Sequence, residues 1–202
     1  MNTLQTLTGI LGLSFVSGVN LYATILTVGL GIHFGWIHGL PNDLNILANP
    51  IVLTVAGIFY AAEFIADKVP FFTPIWDAVH TVIRPLGAAA LALGAASDMN
   101  PLMKILAMII GGSVALSTHS TKMGYRLLAH ASPEPVSDSI FSMAEDAGVV
   151  GLVLLVYKHP ETALVVIIGL LIVMVIVLYY AARMLRALFQ RISGRVASWF
   201  AV

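Results

Sequence analysis

Stretches of mostly apolar residues alternate with short polar segments along the chain. The apolar stretches cover residues 4–37, 50–66, 75–96, 101–120, 140–157 and 162–185. A helix needs about 20 apolar residues to cross a hydrocarbon core of about 30 Å. Most of the stretches suit one crossing each, whereas the first would be about 50 Å long as a straight helix. The pattern therefore predicts five or six transmembrane helices.

The first apolar stretch contains small and polar residues near its middle, at Ser17, Gly18 and Asn20. Glycine weakens a helix, and Ser and Asn side chains satisfy backbone groups that a break sets free inside a protein. We therefore predict a broken first helix, with one long tilted helix as the alternative. The N-terminus lies inside if this stretch crosses once, and outside if it forms a hairpin of two half helices.

Composition indicates a membrane protein and excludes other classes. The 202 residues are 59% hydrophobic and only 10% charged, with a mean hydropathy of +0.95. Ten basic and ten acidic residues cancel, so no nucleic-acid partner is expected, because that would need a clustered basic face. The chain contains no cysteine, which excludes disulfides and thiolate sites. We predict an all-α integral membrane protein, a polytopic helical bundle that forms a single transmembrane domain over residues 1–202.

Basic residues near the ends of the apolar stretches predict the orientation of the chain. Four arginines occupy the C-terminal region: Arg183, Arg186, Arg191 and Arg195. If residues 183–202 form a basic cytoplasmic tail, counting back through the crossings places most of the other basic residues on the cytoplasmic side as well. We therefore predict a multi-pass protein with a cytoplasmic C-terminus.

Most of the remaining charges lie in residues 63–84 and 122–146, and prolines divide each region between two helices. This arrangement predicts two Pro-containing hairpins on the cytoplasmic side, and leaves open whether they are re-entrant. Polar residues recur there at i, i+3 and i+7, which places their side chains on one helix face. The sets are Tyr60, Glu63 and Asp67; Asp77, His80 and Arg84; His119, Lys122 and Arg126; and Ser139, Ser142 and Asp146. The two hairpins form a weak internal repeat with charge signs swapped, and a true repeat and chance remain equal alternatives.

Charges inside a membrane are costly, so they face the protein interior, form pairs, and often mark pathways or sites. The predicted ion pairs join Glu63 or Asp67 to Arg84 or Arg126, and Glu145 or Asp146 to Lys122 or Arg126. Either each hairpin closes by its own pair, or the two hairpins pair with each other. A purely structural network is the alternative to a pathway.

The candidate residues of a solute or ion pathway are Glu63, Asp67, Asp77, His80, Arg84, His119, Lys122, Arg126, Glu145 and Asp146. Acidic residues outnumber basic ones in the hairpins, which favours a cation or a bound proton. A basic pocket of Arg84, Lys122 and Arg126 would instead suit a phosphate or carboxylate, so both polarities stay open. His80 and His119 are candidate proton relays, with a simple hydrogen-bonding role as the alternative.

Several stretches of the sequence resemble the signature of a known family. They are SGVNLYAT from Ser17, EFIADKVP from Glu63, WDAVHTVIRPLGAA from Trp76, SPEP from Ser132 and MAEDAGV from Met143. The chain is similar to a bacterial inner-membrane family that is catalogued as a domain of unknown function. The resemblance implies a multi-helix protein of the bacterial inner membrane and carries no activity or substrate.

The sequence as a whole favours a transporter or channel for a small solute or ion, with proton coupling left open. A lipid-binding or structural membrane protein is the alternative. An intramembrane enzyme is less favoured, because HExxH, GxSxG and clustered-histidine motifs are lacking. We assign no catalytic residue, metal site or cofactor. The expected partners are membrane lipid and a small solute or ion, and a homo-oligomer is left open.

Overall fold

The computed structural model describes the backbone of residues 2–66, 72–129 and 135–199, and their side chains except at 126–129, 135–141, 187–189 and 191–199. Within these residues it contains helices and no strand. The α-helices are α1 (Thr3–Val19), α2 (Leu21–His33), α3 (Pro50–Ala66), α4 (Thr73–Ala95), α5 (Pro101–Ala129), α6 (Pro135–Lys158) and α7 (Pro160–Trp199), and a 3₁₀ helix covers Asn42–Ala48.

Local sequence explains where several helices begin. Prolines occupy the first position of α3, α5, α6 and α7. Proline suits this position because its fixed φ angle matches the helix and its missing N–H needs no partner there. Helix α1 begins instead with a capping box, in which Asn2 and Gln5 each accept a hydrogen bond from the other's backbone N–H.

Three helices among the described residues are long and apolar enough to span a membrane. They cover Thr73–Ala95, Pro101–Tyr125 and Pro160–Arg186. A fourth span is counted if the 3₁₀ helix and α3, which meet at a bend of 63°, are taken together. The prediction of an all-helical protein with helices able to cross a membrane is confirmed within the described residues, whereas five or six crossings remain a prediction.

Helix α1 lies at the centre of the bundle and packs against α4, α5, α6 and α7. Small residues allow this close packing, as the alanine-rich second half of α4 predicts. Ala88 and Ala92 are fully buried. A side chain at Gly18 would come within 2.5 Å of the backbone oxygen of Ala115 on α5. Helix α7 shows the opposite character, because much of its apolar surface is exposed, as expected for contact with lipid.

Asn20 separates α1 from α2 within the apolar stretch of residues 4–37. Its backbone is extended, with φ −151° and ψ 103°. The Asn20 N–H donates to the carbonyl of Val16 at the end of α1, at 2.8 Å. The Asn20 side-chain oxygen accepts from the N–H of Ala23 at the start of α2, at 2.9 Å. One residue therefore caps both helices.

Candidate functional site

A fully buried ion pair joins α3 to α4. The Nη2 atom of Arg84 lies 2.6 Å from Oε1 of Glu63, and the two side chains are 0% and 1% exposed. Arg84 is the twelfth of the 23 residues of α4, so it lies about 16 Å from either end of this helix. The first of the predicted pairs is therefore present, at the middle of a candidate span.

Arg84 also fixes the protonation state of His119. Its Nη1 atom lies 2.9 Å from Nδ1 of His119. A guanidinium only donates hydrogen bonds, so Nδ1 must be the acceptor and the proton must be on Nε2. That Nε2–H points to the carbonyl of Asp77, at 3.1 Å. His119 is thus held as a neutral ring between α4 and α5.

His80 is bound by a different set of groups. Its Nδ1–H donates to the carbonyl of Trp76 at 2.8 Å, and its Nε2 lies 3.0 Å from the hydroxyl of Tyr22 on α2. In the neutral ring Nε2 accepts from this hydroxyl. The indole of Trp76 stacks on the imidazole with centroids 4.4 Å apart. Both buried histidines therefore make hydrogen bonds that join α4 to another helix.

A second ion pair joins α5 to α6. The Nζ atom of Lys122 lies 2.7 Å from Oε2 of Glu145, and these side chains are 3% and 16% exposed. The Tyr125 hydroxyl donates to the other carboxylate oxygen of Glu145. Each ion pair thus joins two helices that are consecutive in the sequence, with the acid on the first helix of one pair and on the second helix of the other.

The side chains of Arg84 and Lys122 both bind the C-terminal end of α1. Arg84 Nη1 donates to the carbonyl of Gly18 at 2.9 Å, and Lys122 Nζ donates to the carbonyl of Val19 at 3.1 Å. The last carbonyls of a helix have no partner within it, and they carry its negative dipole end. The end of α1 therefore binds the cation of each of the two ion pairs.

Asp146 occupies the corresponding place at the start of α2. Its Oδ1 accepts from the side-chain amide of Asn20 at 3.0 Å, and its Oδ2 accepts from the Tyr60 hydroxyl at 2.7 Å. The positive dipole end of α2 favours a negative charge nearby. Asn20 and Tyr60 are therefore parts of the site that the list of candidate residues omits. The sequence pointed to both residues, because Asn20 lies at the predicted helix break and Tyr60 belongs to an i, i+3, i+7 set.

We call the groups around Asn20 the polar centre. It consists of Asn20, Tyr60, Glu63, Arg84, His119, Lys122, Glu145 and Asp146. Asp77 joins it through its backbone carbonyl, and His80 lies one hydrogen bond from Tyr22 on the helix that Asn20 caps. Two candidates, Asp67 and the side chain of Arg126, lie outside the described residues. Within the described part of the chain, no group of three or more His, Asp or Glu residues could hold a metal ion.

Two cavities flank the polar centre. The larger, about 540 Å³, lies among α1, α5, α6 and α7, and Lys122 and Glu145 are in its wall. The smaller, about 270 Å³, lies among α2, α3 and α6, with Tyr60 and Asp146 in its wall. Successive residues of a helix point about 100° apart, so two neighbouring acids of α6 face different cavities. Glu63 and Arg84 line neither cavity.

Together these features define a class: a helical membrane protein whose buried charges converge on the junction of two helices. The chain belongs to the family described as Domain of unknown function (DUF4126), which matches residues 7–180. The predicted resemblance to an uncharacterised family is thereby confirmed, and the match includes the whole polar centre. No curated protein and no solved structure matches the chain.

Proposed function

We propose that this protein moves a small solute or ion across the bacterial inner membrane, with proton coupling, through the polar centre. One observation supports the proposal above all. Helix α1 ends and α2 begins at Asn20, between the two cavities, and charged side chains bind the backbone and side-chain groups at that junction. Transporters commonly bind substrates and coupling ions at the ends of discontinuous helices near the middle of the membrane. The central position of Arg84 in α4 supports this depth.

The contacts of α1 and α2 support a topology in which both enter from the outer side. Thr8 of α1 donates to the carbonyl of Pro160, where α7 begins, at 3.4 Å. The other end of α1 binds Lys122, far along α5. Gly29 of α2 lies against Leu47, before α3. In this arrangement α1 and α2 form a re-entrant pair, α3 to α7 cross five times, and the C-terminus is cytoplasmic.

Single-cysteine labelling tests this topology, and the absence of native cysteine makes the experiment clean. With an impermeant maleimide on intact cells, we expect labelling of Thr3→Cys, Asn45→Cys and Glu161→Cys. Ser193→Cys should react only after permeabilisation. Protection of Thr3→Cys together with labelling of Glu161→Cys would show instead that the first stretch crosses the membrane once.

The polar centre divides into a supporting part and a part that faces the cavities. The Glu63–Arg84 pair lines neither cavity, so a structural role suits it, as in the alternative reading of the charges. Glu145 and Asp146 lie between the cavities on α6. A solute that passes from one cavity to the other meets these carboxylates and Asn20. Protonation of Asp146 would weaken its acceptance from Asn20 and Tyr60, which links a proton to the helix junction.

Proton flux in proteoliposomes tests the role of Asp146. Flux is followed with an entrapped pH-sensitive dye while candidate solutes are added outside. We expect Asp146→Asn to lower solute-dependent flux by about tenfold or more, because the amide keeps the size of the side chain and loses the titrating charge. Asp98→Asn is the matched control, since Asp98 is exposed in the turn after α4.

Undiminished flux in Asp146→Asn would remove this carboxylate from the mechanism. If the wild-type protein gives no flux with any tested ion or solute, the structural or lipid-binding alternative replaces transport. Thermal stability of each variant in detergent is measured alongside, so that a folding defect is not read as a loss of transport.

A further inference from the structure

The larger cavity has a strongly uneven lining. Its polar side chains, among them Lys122, Tyr125 and Glu145, lie at one end. The rest of the wall is mainly aliphatic, with residues such as Leu152, Leu155 and Val166. A volume of about 540 Å³ is within the range of small-molecule sites, roughly 300 to 1,000 Å³. A hydrated ion would find few partners along this wall, whereas an apolar chain would find many.

The cavity is also elongated. Its wall follows α6 from Glu145 to Leu155 and the antiparallel α7 from Val177 to Val166. At 1.5 Å per residue, these segments of eleven and twelve residues extend over about 15 Å. The charged pair lies at one end of this length. The shape therefore suits a narrow molecule with one polar end.

Two glycines of α6 leave the space open. Gly148 and Gly151 both line the cavity, and a three-residue separation places them on one helix face. A Cβ atom at either position would have no atom within 4 Å. Larger side chains here would therefore project into the cavity without a clash at the backbone.

We infer that the larger cavity binds a single-chain lipid of the bilayer whose polar head has no net charge. Lys122 and Glu145 pair at 2.7 Å and are the charged side chains of the cavity wall among the described residues, so a ligand that brought a net charge to this end would find no further counter-charge in that wall. The apolar wall takes the chain, and the end near Tyr125 takes the head. This inference deepens the proposed function, and it rests on that function only for movement of the lipid across the membrane.

Photo-crosslinking tests the binding separately from transport. The full chain is reconstituted in phosphatidylcholine vesicles with a monoacylglycerol that carries a diazirine in its chain, and labelled peptides are mapped by mass spectrometry. We expect labels on α6 and α7 around the cavity. Gly148→Leu and Gly151→Leu should each lower this labelling by about tenfold. Gly169→Leu is the matched control, because Gly169 is an exposed helical glycine of α7 that also has open space and does not line the cavity.

Labelling that persists in both Gly148→Leu and Gly151→Leu, or that maps only to residues outside the cavity wall, would overturn the inference. Equal labelling by a fatty-acid anion of the same chain length would overturn the assignment of an uncharged head. Cavity labelling in wild type, with loss in the two leucine variants, supports the site even if the flux assay detects no transport. In that case the proposed function fails while the binding site stands.

Discussion

Replacement of Arg84 by methionine is expected to lower the free energy of unfolding by about 3 to 5 kcal/mol. The methionine fills similar space but donates no hydrogen bond. It removes Arg84 from the ion pair with the buried Glu63 carboxylate, together with the donor to Gly18 and to His119. Loss of one partner of a buried ion pair accounts for most of this cost. Thermal unfolding in detergent, followed by size-exclusion chromatography, measures the loss.

The controls for Arg84→Met distinguish the cost of removing one partner of a buried ion pair from the effect of losing any basic residue. Lys104→Met changes a partly exposed residue of α5 and should stay within about 0.5 kcal/mol of wild type. The double variant Glu63→Met with Arg84→Met should be more stable than Arg84→Met alone, because it removes both charges of the buried pair. A single variant as stable as the wild type would show that the buried pair does not hold α3 and α4 together.

Replacement of Gly18 by alanine is expected to cost about 1 to 3 kcal/mol, the usual range for overpacking. The added Cβ would lie 2.5 Å from the Ala115 carbonyl oxygen and 2.7 Å from Cβ of Thr118. Backbone atoms of α5 cannot rotate away as a flexible side chain would, so α1 must shift. That shift moves the Gly18 carbonyl away from Arg84.

Gly57→Ala provides the matched comparison for Gly18→Ala. Gly57 lies in α3, and a Cβ there would have no atom within 4 Å. The same chemical change should be neutral or stabilise by up to about 1 kcal/mol, since alanine favours a helix more than glycine does. Equal melting temperatures for the two alanine variants would show that the close approach of α1 and α5 does not constrain position 18.

The ion pairs were predictable because two simple rules act on them. Helical spacing places Glu63 and Arg84 on faces that look inward, and burial forces each charge to find a partner. The same rules allowed several pairings, and only the packing of the helices shows that one pair joins α3 to α4 and the other joins α5 to α6. The carbonyls at the end of α1 were not predictable as partners for Arg84 and Lys122, because no side chain marks them.

The cavities depend on features that a sequence pattern does not encode. Their volumes follow from the distance between α6 and its neighbours, and small residues such as Gly148 are compatible with either close packing or open space. The topology proposed for α1 likewise rests on contacts such as that between Thr8 and Pro160, which are distant in sequence. The periodicity of apolar residues identifies the helices and their buried faces. The distances between packed helices, which it does not encode, determine where cavities form.

The Asn20 side chain uses both the oxygen and the nitrogen of its amide at the helix junction. The oxygen accepts from Ala23 while the nitrogen donates to Asp146. Asparagine is among the thermolabile residues, and loss of its amide leaves a carboxylate of the same shape. The cap on α2 would survive this ageing, but two acids would then face each other where a donor and an acceptor had met. The attraction between Asn20 and Asp146 would give way to repulsion between like charges. One spontaneous hydrolysis would thus weaken the junction without breaking either helix.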